Sequence, residues 1–253
     1  MPEVTTHEHH HDQSPWQAVK LIDKKEVAEG TMAFFFEKPT GFIFKAGQHF
    51  NMQLVNPPET DEEGNIRHFS LVCSPSDNEL MITTRMRDTA FKRVLGAMEI
   101  GRPVNIGAPH GSYVLHNDIS KAAVFLIGGI GITPVLSIVK DATERSLPYN
   151  LILLYSNNRP EDAPFLKELQ DLVDQNPHFT FVPTMTNTEQ SQKTWSGETG
   201  YIDQLMLERY VPNPQVSIYY LSGPPAMIAA MYTLLTSWGI DEDNIRTEEF
   251  TGY

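Results

Sequence analysis

Hydrophobic and polar positions change texture once along the chain. Up to about His116 the apolar residues fall in short runs: Ala18 to Ile22, Thr31 to Glu37, Gln48 to Leu54, His68 to Cys73, Leu80 to Arg85 and Pro103 to Ile106. Turn formers separate them, at Pro39 and Gly41, Pro57 and Pro58, Gly64 and Asn65, and Ser74 to Asn78. Short strands with regular turn punctuation predict a small antiparallel barrel or sandwich. One helix is expected among them, over Ala90 to Met98.

After Lys121 the runs are denser. Ala122 to Ile127, Asn150 to Tyr155, Phe179 to Thr184 and Ser217 to Leu221 read as strands covered on both faces. Helical periodicity lies between them, over Thr133 to Glu144, Ala163 to Asp174, Asp203 to Tyr210 and Pro224 to Trp238. Strand alternating with helix predicts a parallel, doubly wound α/β sheet. The expected organisation is a polar, disordered tail over residues 1–14, an antiparallel β-barrel domain over 15–118 and an α/β domain over 119–253.

Composition narrows the classes. A chain of 253 residues that is 40% hydrophobic can bury two modest cores. Its net charge of −13 disfavours sequence-independent binding to a phosphate backbone, so nucleic acid is not expected. Cys73 is the single cysteine, and one thiol can build neither a disulfide, a four-cysteine zinc site nor a ferredoxin-type cluster. No metal is expected. The first 14 residues hold His7, His9, His10 and His11 but no apolar stretch of the kind a secretory signal needs. The longest apolar stretch, Ala122 to Val139, is broken by Gly128, Gly129, Gly131 and Pro134 and falls short of the roughly 20 residues a membrane helix requires. A soluble protein of a reducing compartment, the cytoplasm, is expected.

Two local features carry chemistry. Gly128-Gly129-Ile130-Gly131-Ile132-Thr133-Pro134 follows a buried strand and opens a helix. Glycines there let the backbone turn tightly beside a bulky anion, and the free amides and dipole of the helix N-terminus face that anion. The dinucleotide fingerprint Gly-x-Gly-x-x-Gly lacks its third glycine here. The second feature is Arg67-His68-Phe69-Ser70 at the head of a strand. Alternation puts Arg67 and Phe69 on one face and His68 and Ser70 on the other. An arginine can fork onto phosphate, and an aromatic ring can cover a flat ligand.

Taken together and in this order, these motifs resemble the ferredoxin–NADP reductase-like family of flavin oxidoreductases, over roughly residues 16–253. The resemblance implies an FAD enzyme that takes hydride from NADH or NADPH and passes electrons to a separate acceptor. That acceptor would be a ferredoxin-like or haem protein, an oxygenase component or a small molecule. A flavin-binding electron-transfer subunit that does not itself oxidise nicotinamide is the alternative.

Arg67, Phe69 and Ser70 are similar to the family's Arg-x-Tyr-Ser, with Phe in place of Tyr, so Arg67 would hold the flavin pyrophosphate, Phe69 lie against the flavin and Ser70 bond near its N5. The same resemblance implies flavin contacts for His68 and Thr84. In the family's second phosphate motif, Gly-x-x-Ser, Thr89 falls on the glycine and Lys92 on the serine. Gly107 to Tyr113 resembles a structural turn that closes the barrel.

For the nicotinamide nucleotide the resemblance implies Gly129, Gly131 and Thr133, then Ser222, Gly223, Pro224 and Met227 in a Cys-Gly-Pro-x-x-Met-like turn in which Ser222 replaces cysteine. Glu248 and Phe250 match a C-terminal Glu-x-aromatic, with Glu248 near the reacting atoms and Phe250 or Tyr253 stacking on the flavin. Ser70 and Glu248 are the expected catalytic pair. The segment after the second α/β strand leaves the nicotinamide open: Ser156 and Arg159 suit a 2′-phosphate, whereas Glu161 and Asp162 suit a free ribose. Arg85, Arg87, Lys92, Arg93 and Arg102, against Asp88 and Glu99, could steer an acidic carrier.

Overall fold

The computed structural model describes residues 16–249, apart from the side chain of Glu249. The expected polar tail, Phe250 and Tyr253 lie outside the described residues.

The first half contains β1 (Gln17–Ala28), β2 (Thr31–Glu37), β3 (His49–Leu54), β4 (Ile66–Ser70), β5 (Glu79–Arg85), α1 (Ala90–Ala97) and β6 (Pro103–Ile106). The six strands form one antiparallel sheet in the order β4-β3-β6-β1-β2-β5. The sheet curls until its edges meet, where the Val72 amide just beyond β4 donates to the Met81 carbonyl of β5 at 2.9 Å. Phe34, Phe36, Phe50, Met52 and Leu54 are fully or almost fully buried inside it.

β1 runs six residues beyond the apolar segment that predicts it. Its second half, Asp23 to Ala28, is largely polar and is held as strand by pairing with β2, with register shifts at Leu21/Asp23 and Glu26/Ala28. β4 starts two residues early and ends at Ser70, because Leu71 to Cys73 turn towards β5 instead of continuing along β3.

The second half contains β7 (Ala123–Gly128), α2 (Ile132–Glu144), β8 (Leu151–Asn157), α3 (Leu166–Gln175), β9 (Phe179–Met185), β10 (Glu198–Thr199), α4 (Gln204–Tyr210), β11 (Ile218–Gly223), α5 (Pro225–Ser237) and β12 (Ile245–Glu249). All strand pairs are parallel, in the order β10-β9-β8-β7-β11-β12. Every residue of β7 and β11 is buried, as continuous apolar runs require of a sheet covered on both faces.

The two edge strands β10 and β12 were not legible as strands. β12 reads Ile-Arg-Thr-Glu-Glu, and only its pairing with β11 makes it one. Among the described residues no helix is long and apolar enough to cross a membrane.

One hydrophobic cluster runs from inside the barrel into the near face of the parallel sheet, through Phe125, Ile138, Tyr155 and Tyr220. A second cluster fills the far face beneath α4 and α5. Polar ties reinforce the seam: Ser137 Oγ donates to the Cys73 carbonyl at 2.6 Å, and Arg246 Nη1 to the Val114 carbonyl at 2.8 Å.

Candidate functional site

The first cleft, about 360 Å³, opens where the barrel edges meet. β4 supplies Arg67, His68, Phe69 and Ser70, β5 supplies Thr83, Thr84 and Arg85, and α1 with its cap supplies Thr89, Phe91 and Lys92. Ile130 and Thr133 close it from the second half of the chain. All four residues of the Arg67 tetrad line this one cleft. β4 is an edge strand, so the cleft wraps around its free side.

Thr89 caps α1, its side chain accepting from the Lys92 amide. That places Lys92 in the first helical turn, facing a cluster of cations. Its pKa is lowered, first by burial and then by Arg87, Arg67 and Arg85. Like charges gathered in a partly buried cleft repel one another until an anion joins them. Two further groups in the cleft, Thr83 Oγ1 and Arg85 Nε, are buried without a hydrogen-bond partner. The rings of Phe69 and Phe91 lie 5.8 Å apart, and the Arg67 guanidinium sits over Phe91 at 5.2 Å.

Arg67 is not idle, however. Its Nη1 donates to the carbonyls of Glu63, Gly64 and Ile66, and its Nη2 lies 2.9 Å from both Asp61 Oδ1 and Glu63 Oε2. A phosphate at Arg67 has to displace one of those carboxylates. Cations, orphaned polar groups and aromatic rings in one cleft fit a ligand that joins a pyrophosphate to a flat ring, as FAD does.

The second cleft, about 550 Å³, lies at the carboxyl ends of β7, β8 and β11. The strand order reverses between β7 and β11, the switch point at which open α/β sheets bind ligands. Gly129 to Gly131 form a single 3₁₀ turn before α2, with Gly129 at a φ of 53°. The glycines of this loop also serve packing. A Cβ on Gly131 would stand 2.5 Å from the Ser222 carbonyl, and one on Gly128 2.5 Å from the Met227 sulfur. Thr133 is buried, its Oγ1 donating to the Ile130 carbonyl at 3.0 Å.

Gly128, Gly129, Ser156, Pro224 and Met227 line the second cleft; Ser222 is fully buried behind it, with no partner for its hydroxyl. Arg159 turns away from the cleft. Its Nε and Nη2 grip Asp162 at 2.9 and 2.7 Å, and Nη2 also meets Glu29 at 2.9 Å. Glu161 accepts from Ser191, Gln192 and Lys193 and so holds that loop.

Arg85 lines both clefts and donates through Nη2 to the Asp162 carbonyl at 3.1 Å. It was read from sequence only as surface charge. Thr83, Phe91 and Asn157 were also missed, and the unbroken burial of β5 from Leu80 to Thr84 is the signal that marks its outer positions as covered.

At the seam, Glu248 stands opposite Ser222 in register, and its Oε1 lies 3.3 Å from His49 Nδ1. Its Oε2, like the Tyr113 hydroxyl, is buried and unpartnered. The Tyr113 pKa is raised well above its ordinary value, by burial first and then by the negative charge of Glu248. The His49 ring lies 4.3 Å from His110 and 6.1 Å from His68. The His68 pKa is lowered, by lost hydration first and then by His49. The expected docking patch divides: Arg93 pairs with Glu59 and Asp88, Arg102 lines a separate groove by Pro57 and Pro58, and Arg85 lies inside the clefts.

Residues 125–233 match the model of the oxidoreductase NAD-binding domain. With a curled antiparallel sheet before it and a cleft at the junction, the chain has the two-domain fold of the ferredoxin–NADP reductase-like flavoproteins. It is similar to the glycine betaine monooxygenase reductase subunit of Chromohalobacter salexigens, 27% identical over 87% of this chain and 60% of that protein. It is also similar to the phenol hydroxylase P5 protein of Acinetobacter pittii, 28% identical over 91% of this chain and 64% of that protein. The chain thus spans less than two thirds of either relative. A ferredoxin–NADP⁺ reductase from Neisseria gonorrhoeae, solved with FAD and NADP bound, shares the fold with a TM-score of 0.77 at 21% identity, covering 94% of this chain and 99% of that one.

Proposed function

We propose that the chain is an FAD-dependent oxidoreductase that takes hydride from NADH or NADPH and passes electrons to a separate acceptor. One observation carries this reading: two clefts of different chemistry, one cationic and one at the switch point of a parallel sheet, meet at a single side chain, Arg85. Residues 15–118 are assigned to flavin and 119–253 to the nicotinamide nucleotide.

When bound, the flavin supplies the hydride acceptor and the outlet for electrons. The protein's part is position, charge and access. Lys92 and Arg67 hold the pyrophosphate, Lys92 as a point charge and Arg67 as a fork freed from Glu63. Thr84 and Thr89 border the same path, and Phe69 and Phe91 wall the cleft against water. Ser70 and His68, at the end of β4, direct a hydroxyl and an imidazole towards the ring. Gly129 borders the second pyrophosphate, Gly131 and Thr133 shape the turn that presents it, and Gly223, Pro224 and Met227 guide the nicotinamide to the seam. There Glu248, steadied by His49, faces the reacting centre. Phe250 and Tyr253 are assigned to cover the ring.

The acceptor proposed is an oxygenase component, a ferredoxin-like or haem protein, or a small molecule. The similarity to two proteins named as a monooxygenase reductase subunit and a phenol hydroxylase component favours the first. A cytoplasmic site of action completes the proposal, in keeping with a single free thiol, Cys73, that is buried and whose pKa is pushed up to about 11 by that burial.

The test is anaerobic stopped-flow mixing of FAD-loaded protein with NADH and NADPH. Yellow protein that bleaches supports the reading. Yellow protein that neither nucleotide bleaches returns the chain to a flavin-binding electron-transfer subunit, and protein that cannot be loaded with FAD overturns both.

A further inference from the structure

Three buried side-chain oxygens at the seam share one anomaly. Tyr113 Oη, Ser222 Oγ and Glu248 Oε2 are closed to solvent, and none has a hydrogen-bond partner among the described residues. Two are hydroxyls that can donate, and the third belongs to a carboxylate that, while charged, can only accept. Buried polar groups left unmet are destabilising, so donors and an acceptor gathered in one place point to a bond between them.

The fold brings these groups to one side of the parallel sheet. Ser222 and Glu248 are partners in the β11–β12 register, and Tyr220 and Arg246 are the pair two residues earlier. Side chains two apart on a strand share a face, so all four stand on the same side of this sheet edge. The loop after β6 lies across that side. Tyr113 sets its ring edge-on to Tyr220, with centroids 5.4 Å apart, and the next carbonyl, that of Val114, accepts from Arg246 Nη1 at 2.8 Å. Two residues before Tyr113, the chain runs so close to His49 that a Cβ on Gly111 would stand 2.8 Å from Nδ1, the nitrogen that faces Glu248. The chain on either side of Tyr113 is thus tied to a neighbour of Glu248.

Glu248 itself is held loosely. Its Oε1 stands 3.3 Å from His49 Nδ1, longer than the roughly 2.7–2.9 Å of a good charge-assisted bond. Carboxylate torsions are broad, so Oε2 can turn to a donor at little cost. Tyr113 remains such a donor, because burial and the charge of Glu248 keep the proton on its hydroxyl. We propose that the Tyr113 hydroxyl donates to Glu248 Oε2 and, with His49 on Oε1, fixes the carboxylate at the nicotinamide end of the seam. Tyr113 is then a positioning residue that acts through Glu248. The bond stands on the packing of the seam; its effect on hydride transfer rests on the oxidoreductase reading.

The experiment is a double-substitution cycle on the full chain. Tyr113→Phe removes the hydroxyl and keeps the ring against Tyr220, and Glu248→Met removes the carboxylate and keeps a side chain of similar length. Chemical unfolding is followed without nucleotide. Tyr113→Phe should lower the unfolding midpoint while Glu248 is present, and leave it level or raise it in Glu248→Met. In the FAD-loaded chain, stopped-flow reduction by NADH or NADPH at saturation should be about tenfold slower in Tyr113→Phe. The nucleotide concentration for half-maximal rate should change less than about twofold.

An unchanged or raised midpoint in Tyr113→Phe with Glu248 in place overturns the proposal, since a buried hydroxyl with no partner is better removed. So does an equal fall in both backgrounds, which makes the hydroxyl independent of Glu248. A limiting rate unaltered by Tyr113→Phe overturns the positioning role even where unfolding shows the bond. Coupling in the unfolding cycle of a protein whose flavin neither nucleotide reduces sinks the oxidoreductase reading and leaves the bond standing.

Discussion

The two clefts meet at Arg85 but are built by different means. The barrel cleft is made of side chains: Arg67 and Lys92 bring charge, and Phe69 and Phe91 bring rings, from a strand and a helix set around an open seam. The cleft of the parallel sheet is shaped by the backbone turns at Gly128, Gly129 and Pro224. Its loops lock so closely that a methyl group on Gly131 would run into the backbone of Ser222 and Gly223, and one on Gly128 would press on the Met227 side chain. Binding on the barrel side should therefore fail through loss of charge with the fold intact. On the sheet side, added volume should damage binding and fold together.

The sharpest way to break that contrast is Gly131→Ala. The new Cβ would stand 2.5 Å from the Ser222 carbonyl and 2.7 Å from the Gly223 amide, both backbone, so β11 or the start of α2 must shift. Overpacking of this kind costs about 3 kcal/mol. Chemical unfolding without ligand should show the loss in full. A variant as stable as the parent would mean that the loops give way, and that glycine is there for the ligand alone.

Lys92→Ala tests the other side. Lys92 borders the cleft and makes no salt bridge in the described structure, so its removal should leave apoprotein stability nearly unchanged. FAD affinity should fall by about 2 kcal/mol, roughly thirtyfold. Fluorescence quenching of FAD at several salt concentrations measures this. The parent should lose affinity with rising salt more steeply than the variant. Loss of stability without loss of affinity would place Lys92 in the fold rather than in the site.

The same contrast explains what could be read from the sequence. Continuous apolar runs announced β7, β8, β9 and β11, and the glycine loop announced the switch-point cleft, because both are written locally in residue type. Arg67 and Lys92 were legible as candidates because the motif spacing carries them. Arg85 and Asn157 were not. Their meaning comes from which elements the fold brings beside them: β5 crossing to the α/β half, and β8 ending under Asp162. Polar β12 gave no periodic signal, since a neighbouring strand makes it a strand. The commitment of Arg159 to Asp162 and Glu29 was equally hidden, because Glu29 lies 130 residues away in the barrel hairpin.

Acid should act on the barrel side and the seam. Among the described residues no histidine lines the switch-point cleft, whereas His68 lines the barrel cleft and His116 is buried between the halves. Both have lowered pKa values: His68 by lost hydration and His49, His116 by burial first, with Arg246 adding to it. Each binds its proton more weakly folded than unfolded. Below the unfolded value near 6.5 the unfolded chain therefore holds the extra protons, and stability falls as pH falls. The Tm of the apoprotein should drop from pH 7.5 to pH 5.5, and less steeply in His116→Gln. A flat profile in both proteins would contradict these shifts.

The smallest effect expected is also the most specific. Arg67 is shared among Asp61, Glu63 and three carbonyls, so a phosphate arriving there competes with the protein's own carboxylates. Glu63 is the weaker holder. Its side chain is 77% exposed, and a pair with so much water around it contributes little to stability. Glu63→Gln removes a charge that the ligand must displace and keeps the shape of the loop. FAD should bind about twofold more tightly, on the order of 0.5 kcal/mol, with unfolding unchanged. The gain should fade at high salt, because it is a difference between screened charges. Weaker binding in Glu63→Gln would show that the carboxylate positions Arg67 for the phosphate instead of competing with it, and the barrel cleft would then be preorganised by its acids as well as charged by its bases.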